Sequence, residues 1–187
     1  MSRMSEIAER FRRRAASFTE RVEAVPADRW DSPSPCEGWT ALDVVRHMVG
    51  NVDMFFGLVG RERSPGPDVA DAPAAVWGVA RDAMQVGLDD PELAGQEYDG
   101  AFGRMTFEQG VDSFLSFDLV VHTWDLARAT GLDERLDPTD VHDVFESAKS
   151  MDTGGALRTD GVCGPELAPP SGAGEQEQML AFLGRAV

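Results

Sequence analysis

The feature of this sequence that most constrains its fold is a series of helical repeats with their own start signals. In the strongest repeat, apolar side chains recur every three or four positions, which is the spacing of one helix face. Thr106 and Gln109 have the spacing of a capping box at its start, and Gly131 follows as a stop signal. Thr40 and Asp43 form a variant of that box before a second repeat. Because strand-like alternation is scarce, the sequence predicts an all-α protein, namely a four-helix bundle with a short C-terminal helical extension.

Loops rich in proline and glycine separate the predicted helices. The helices are expected at about residues 4–24, 40–60, 74–88, 106–129, 137–149 and 175–185. Residues 89–104 have mixed polarity, and we expect either a short extended stretch or an irregular loop there. We expect residues 1–152 to form the bundle domain and residues 153–187 to be a tail that packs along it.

Charge excludes several classes of function. The 187 residues include 17 basic and 33 acidic side chains, which gives a formal net charge of −16 at pH 7. Such a field repels phosphate backbones and anionic lipid surfaces, so we expect neither nucleic acid nor a membrane as partner. No apolar run approaches the roughly 20 residues of a membrane span.

Cysteine usage indicates the compartment. Cys36 and Cys163 fit reduced thiols better than a disulfide, and no apolar signal segment follows the N-terminal arginines. We therefore expect a cytoplasmic protein. Whether it forms a homodimer through an apolar flank of the bundle stays open.

Two ionisable residues interrupt the apolar face of the strongest helical repeat. Asp118 and His122 are four residues apart, so they lie one turn apart on one face. A carboxylate on a core face is costly unless it is paired or bound to a metal. Two interpretations stay open: a satisfied Asp–His hydrogen bond, or two ligands of a metal site. A catalytic zinc site takes three protein ligands and leaves one position free.

A third ligand is expected from another helix, and the chain has 3 histidines. His47 lies beside the apolar stripe of the second predicted helix, whereas His142 lies among acidic residues and is expected to be solvated. A lone histidine beside a core stripe is more often packed than a ligand, but the Asp118–His122 pair favours His47 as the third. Zinc is the first choice, and nickel or iron also suits two nitrogens and one oxygen.

Four further residues are candidates for the same site. Asp125, one turn past the paired histidine, either accepts a bond from its free ring nitrogen or is a solvated acid. Asn51 either lines the same cavity or lies on the surface. Arg128 either faces an anionic ligand or pairs with a surface acid. Cys36 is a candidate soft ligand or nucleophile, although no second nearby cysteine supports that role.

Several motifs resemble those of a known family. SPCEGWT at residues 34–40, followed by DVVRH at 43–47, resembles the first metal-ligand helix of the DinB-like (YfiT-like), mycothiol-dependent maleylpyruvate isomerase N-terminal family. DLVVHTWDLA at 118–127 resembles its second signature. GPEL at 164–167 and LAFLG at 180–184 are similar to the tail of an actinobacterial metal-binding subfamily.

This resemblance implies a four-helix bundle that holds a divalent metal, usually zinc, with His47, Asp118 and His122 at the ligand positions. It also implies mycothiol or bacillithiol as a thiol cofactor and a small electrophile as substrate. The expected function is a metal- and thiol-dependent transferase or isomerase. The alternatives are a non-catalytic metal-binding or structural module, and a hydrolase that uses metal-bound hydroxide.

Overall fold

The computed structural model describes residues 5–64, 66–100, 103–153, 155, 157–158 and 163–187. Most of these residues are helical, which confirms the helical part of the prediction. None of the helices in this part of the chain combines the length and the apolarity needed to cross a bilayer. In chain order the elements are α1 (Glu6–Ala24), α2 (Ala41–Leu58), α3 (Pro73–Asp89), α4 (Pro91–Ala94), β1 (Glu97–Gly100), β2 (Gly103–Thr106), α5 (Phe107–Gly110), a π-helical turn (Val111–Leu115), α6 (Ser116–Thr130), α7 (Pro138–Met151) and α8 (Glu175–Phe182).

The two predicted capping boxes are present. The Asp43 backbone N–H donates to Thr40 Oγ1 at 3.3 Å, and the Thr40 N–H donates to the Asp43 carboxylate at 2.9 Å. The Gln109 N–H donates to Thr106 Oγ1 at 3.3 Å, and the Thr106 N–H donates to the Gln109 side chain at 3.0 Å. Gly131 ends α6 with a φ of 75°. Local signals therefore set the start of α2 and both ends of the helical segment that runs from α5 through the π-helical turn to the end of α6.

The predicted start of the first helix, at residue 4, lies outside the described residues. The last helix is shorter than predicted, because α8 ends at Phe182 rather than at residue 185. Gly184 has a φ of 81°, and this left-handed conformation turns the chain out of the helix. Arg185 follows outside α8, with its N–H donating to the Leu180 carbonyl at 2.9 Å.

The short helix α4 and two paired strands lie in the segment whose conformation the sequence left open. β1 pairs antiparallel with β2, from Glu97 opposite Thr106 to Gly100 opposite Gly103. The chain is therefore mostly helical rather than entirely α. The buried Tyr98 of β1 packs against Gly110, where a Cβ would lie 2.0 Å from the Tyr98 hydroxyl oxygen. A glycine is thus required where the hairpin meets the start of the long helical segment.

Helix α6 lies between two apolar clusters. On one side, α1 packs against α3 and α6, and α2 packs against the same two helices. On the other side, α7, α8 and the tail form a second cluster with α6. The larger cluster includes Phe11, Phe18, Met48, Phe55, Trp77, Met84, Leu115, Leu119 and Leu126. The smaller one includes Val120, Trp124, Val144, Met179 and Leu180. Because both sides of α6 are covered, its polar side chains need internal partners.

Candidate metal centre

Helices α2 and α6 bring the three predicted ligands together. His47, Asp118 and His122 each offer one donor atom, and the three atoms lie within 4.8 Å of one another. His47 Nε2 lies 3.1 Å from Asp118 Oδ2, and the centroids of the two imidazole rings are 4.8 Å apart. The one-turn spacing on α6 aims its two side chains at the same point of α2. Two imidazoles and one carboxylate in this arrangement match the ligand types of a divalent cation site.

The side chain of Asn51 connects two of these groups. Its Nδ2 donates to Asp118 Oδ2 at 2.9 Å and lies 3.0 Å from His47 Nε2. If Nε2 accepts from Asn51 it carries no proton, and its lone pair then lies close to a carboxylate oxygen. A shared cation would satisfy both electron-rich atoms, so the donor set fits a metal.

The site is open on one side and has an aromatic wall on another. The side chains of His47 and Asp118 are 28% and 30% exposed, whereas that of His122 is 8% exposed. The Trp39 ring lies 5.0 Å from the His47 ring and 6.0 Å from the His122 ring, centroid to centroid. A molecule from solvent can therefore approach the three donors beside an apolar surface.

The other ring nitrogen of His122 faces a buried polar group. His122 Nδ1 lies 2.9 Å from Asp125 Oδ2, and the Asp125 side chain is fully buried. Cys36 Sγ donates to the same oxygen at 3.4 Å. Arg185 donates to both oxygens of this carboxylate, from Nη2 at 2.9 Å and from Nε at 3.3 Å. With Nδ1 engaged by Asp125, Nε2 of His122 is the nitrogen available to a cation.

Charge pairing shifts the titration of both groups. Burial favours the neutral form of His122, but its bond to Asp125, the Cys36 contact and the charge of Asp118 outweigh burial and raise the pKa of His122 to about 10. Burial likewise opposes ionisation of Asp125, but the His122 bond and the charge of Arg185 lower its pKa to about 2. In the metal-free protein at neutral pH, the pair is therefore an imidazolium and a carboxylate.

The remaining sequence-derived candidates lie elsewhere or have other partners. Arg128 Nη1 donates to Glu134 at 3.0 Å, and its guanidinium lies 5.5 Å from the Trp124 ring. His142 is exposed, as expected, and its Nδ1 lies 2.8 Å from Glu175. The sequence did not single out Arg185.

A separate cavity of about 600 Å³ lies between α1, the π-helical turn and α7. Its lining includes Arg10, Phe117 and Glu146, and it contains none of the three candidate ligands. The cations at its wall are already paired: Arg10 binds Asp112 at 2.8 Å through two nitrogens. The candidate metal centre is therefore identified by its donor atoms rather than by this cavity.

Comparison with known proteins gives a consistent assignment. Residues 11–127 match the sequence model of the mycothiol maleylpyruvate isomerase N-terminal domain. Two uncharacterized proteins of Mycobacterium tuberculosis are similar, MT0763 of strain CDC 1551 / Oshkosh and Rv0738 of strain ATCC 25618 / H37Rv. Each is 30% identical, with 91% of this chain and 93% of the relative covered. No solved structure matches the chain significantly. The resemblance in the motifs is thus confirmed, and the chain belongs to the mycothiol maleylpyruvate isomerase N-terminal domain family.

Proposed function

We propose that this protein holds a divalent cation, zinc by preference, at His47, Asp118 and His122. We further propose that the protein uses the cation together with a low-molecular-weight thiol, such as mycothiol. The thiol would either be transferred to a small electrophile or take part in the isomerisation of that electrophile. The observation that carries the proposal is the meeting of these three donors, from α2 and α6, within 4.8 Å of one another. All three lie inside the segment that matches the family.

The donor set supports the choice of ion. Two neutral imidazoles and one carboxylate are the ligand types of catalytic zinc, and they also suit nickel or iron. They leave a bound divalent ion with a net charge of about +1, which can still hold one thiolate. When bound, such an ion deprotonates a thiol that would be mostly protonated near neutral pH.

The protein's own residues would prepare this chemistry. Asp125 fixes the ring of His122, and Asn51 holds the Asp118 carboxylate toward His47. The indole of Trp39 covers both imidazoles, so one wall excludes water. The exposed edges of His47 and Asp118 leave the side from which thiol and electrophile would enter.

We propose that α1, α2, α3 and α6 form a four-helix bundle within residues 1–152, and that residues 153–187 are a tail packed on it. The support is that α1 and α2 each contact both α3 and α6. An experimental structure in which these four helices do not surround one core would contradict this proposal.

Elemental analysis of protein purified without a metal-affinity tag tests the metal site. We expect about one zinc per chain in the wild type and background metal in the His47→Ala, His122→Ala double variant. His142→Ala is the matched control, because that exposed histidine pairs with Glu175, and it should retain the metal. Wild type without metal after metal-replete growth, or a double variant with full metal, would overturn the proposal.

Turnover of a panel of electrophiles with and without mycothiol or bacillithiol tests the reaction. We expect thiol-dependent turnover that Asp118→Ala abolishes. Hydrolysis that needs no thiol but needs Asp118 would replace this proposal with the hydrolase. A metal-loaded protein that binds no thiol and turns over nothing would support the non-catalytic module instead.

A further inference from the structure

Arg185 reaches the candidate metal centre from the C-terminal tail. Gly184 packs against Gly164, where a Cβ on Gly184 would lie 3.0 Å from backbone atoms of Gly164. With a φ of 81° at Gly184, the chain turns back and the Arg185 N–H donates to the Leu180 carbonyl at 2.9 Å. This close glycine contact fixes where the arginine side chain starts. Arg185 also lies beyond residues 11–127, which match the family.

The guanidinium of Arg185 is held in one orientation. It binds both oxygens of Asp125, and its Nη1 donates to the Leu183 carbonyl at 2.9 Å. Its Nη2 lies 3.8 Å from Cys36 Sγ. The side chain is 10% exposed and that of Asp125 is 0% exposed. An arginine buried this far and bonded at several nitrogens is part of a built site rather than a surface ion pair.

Among the described residues, two donor sets overlap at His122. One consists of His47, Asp118 and His122, and the other consists of Cys36, His122 and Asp125. In each set the donor atoms lie within 4.8 Å of one another. By donor chemistry alone, the second set would suit a soft cation such as zinc or cadmium, because it offers a sulfur. The guanidinium already neutralises that second set.

We propose that Arg185 is a positioning residue that decides which of these two donor sets takes the cation. By holding Asp125 against His122 Nδ1, it presents Nε2 to His47 and Asp118. By placing a fixed positive charge beside Cys36 and Asp125, it keeps a second cation out. This inference rests on the proposed metal function of the His47 set.

Cobalt titration separates the two sets, because only a thiolate ligand gives the near-ultraviolet sulfur-to-cobalt charge-transfer band. Wild type should bind cobalt without that band. Arg185→Gln should bind cobalt at the His47 set about 10–100-fold more weakly and should show the band. The band should disappear in Arg185→Gln, Cys36→Ser. Arg185→Lys should restore the wild-type spectrum, and Arg135→Met, at an exposed arginine paired with Asp133, should match wild type.

The outcomes distinguish this inference from the proposed function. If wild type binds no cobalt or zinc, the proposed function fails. If wild type binds cobalt and folded Arg185→Gln gives the same affinity and spectrum, the role of Arg185 is overturned.

A wild-type measurement covers the case in which Arg185→Gln does not fold. Alkylation of Cys36, followed by peptide mass spectrometry, should proceed at the same rate with and without saturating zinc. Protection of Cys36 by zinc would place the ion in the second set and would overturn the inference.

Discussion

The two sides of His122 differ in exposure and in charge balance. On the Nε2 side, His47 and Asp118 are about 30% exposed, and Asp118 is bonded to a histidine and an amide. On the Nδ1 side, Asp125 is fully buried and bonded by a guanidinium. We call these the open side and the closed side.

Under the proposed assignment, donor type alone does not distinguish the metal position from the other donor set. Both sides offer a carboxylate next to the same imidazole, and the closed side adds a thiol. What separates them is that the closed side already contains its cation, Arg185, whereas the open side has donors facing one another. A buried carboxylate with a full set of hydrogen-bond partners serves to hold a ligand in place.

The largest expected effect comes from removing the negative charge of Asp125 on the closed side. Asp125→Asn leaves the buried guanidinium of Arg185 without its counter-ion, which should cost about 3–5 kcal/mol of unfolding free energy. Urea denaturation measures it. The matched control is Asp112→Asn, at a partly exposed ion pair with Arg10, which should cost about 1 kcal/mol or less. Equal losses at the two positions would contradict the distinction between a closed side and an ordinary surface pair.

The ion pair of Asp125 and Arg185 also makes the free energy of unfolding depend on pH in the acid range. Because the folded state lowers the pKa of Asp125 from 3.8 to about 2, its contribution is present above pH 3.8 and is lost as pH falls toward 2. Asp125→Asn should lack this part of the acid-unfolding curve.

The second effect is a proton released when metal binds the open side. The pKa of His122 is raised from 6.5 to about 10, so its charge stabilises the fold below pH 6.5, and that contribution is lost as pH rises through 10. A metal ligand must be unprotonated, so zinc affinity should rise with pH across the neutral range. Calorimetry in buffers of different ionisation enthalpy should show about one proton released per zinc. A binding enthalpy independent of the buffer would contradict this expectation.

The third effect concerns the amide on the open side. Asn51→Leu removes the donor that holds Asp118, and zinc affinity should fall about 10-fold. Asn51→Asp adds a carboxylate beside the ion and should strengthen binding instead. Competition with a chromophoric chelator measures both. Unchanged zinc affinity in Asn51→Leu would mean that the hydrogen bond from Asn51 does not orient Asp118 for metal binding.

The smallest effect is expected from the thiol. Cys36→Ser keeps a donor toward Asp125, so stability and zinc affinity should change by no more than about 0.5 kcal/mol. Thermal melting and the chelator competition check both values. Loss of zinc in Cys36→Ser would make the closed side the metal position and reverse the comparison.

Local signals made much of this structure predictable. The capping boxes at Thr40 and Thr106 involve residues three positions apart, so the sequence contains both partners. The spacing of Asp118 and His122 follows from the helix repeat, and so does the contact of His122 with Asp125. His47 needed an inference across 71 positions, which the scarcity of histidines made feasible.

The contacts that Arg185 and Cys36 make on the closed side were not predictable, because they depend on how distant segments pack. Arg185 and Asp125 are 60 positions apart, and Arg185 and Cys36 are 149 apart. The periodicity predicted that the last helix continues to residue 185. At the end of such a helix, Arg185 would be expected to be an ordinary surface charge. The left-handed conformation of Gly184, which directs Arg185 inward, has no periodic signal.

The number of residues in the π-helical turn at Val111–Leu115 determines the direction in which Asp118 and His122 project from α6. A helix advances about 100° around its axis with each residue. Because a π turn contains roughly one extra residue, it rotates the side chains that follow it by roughly that angle. Shortening this turn by one residue would leave the composition of α6 unchanged. It would rotate Asp118 and His122 together, away from His47. The orientation of the two candidate ligands on α6 therefore depends on the length of a segment that contains neither of them.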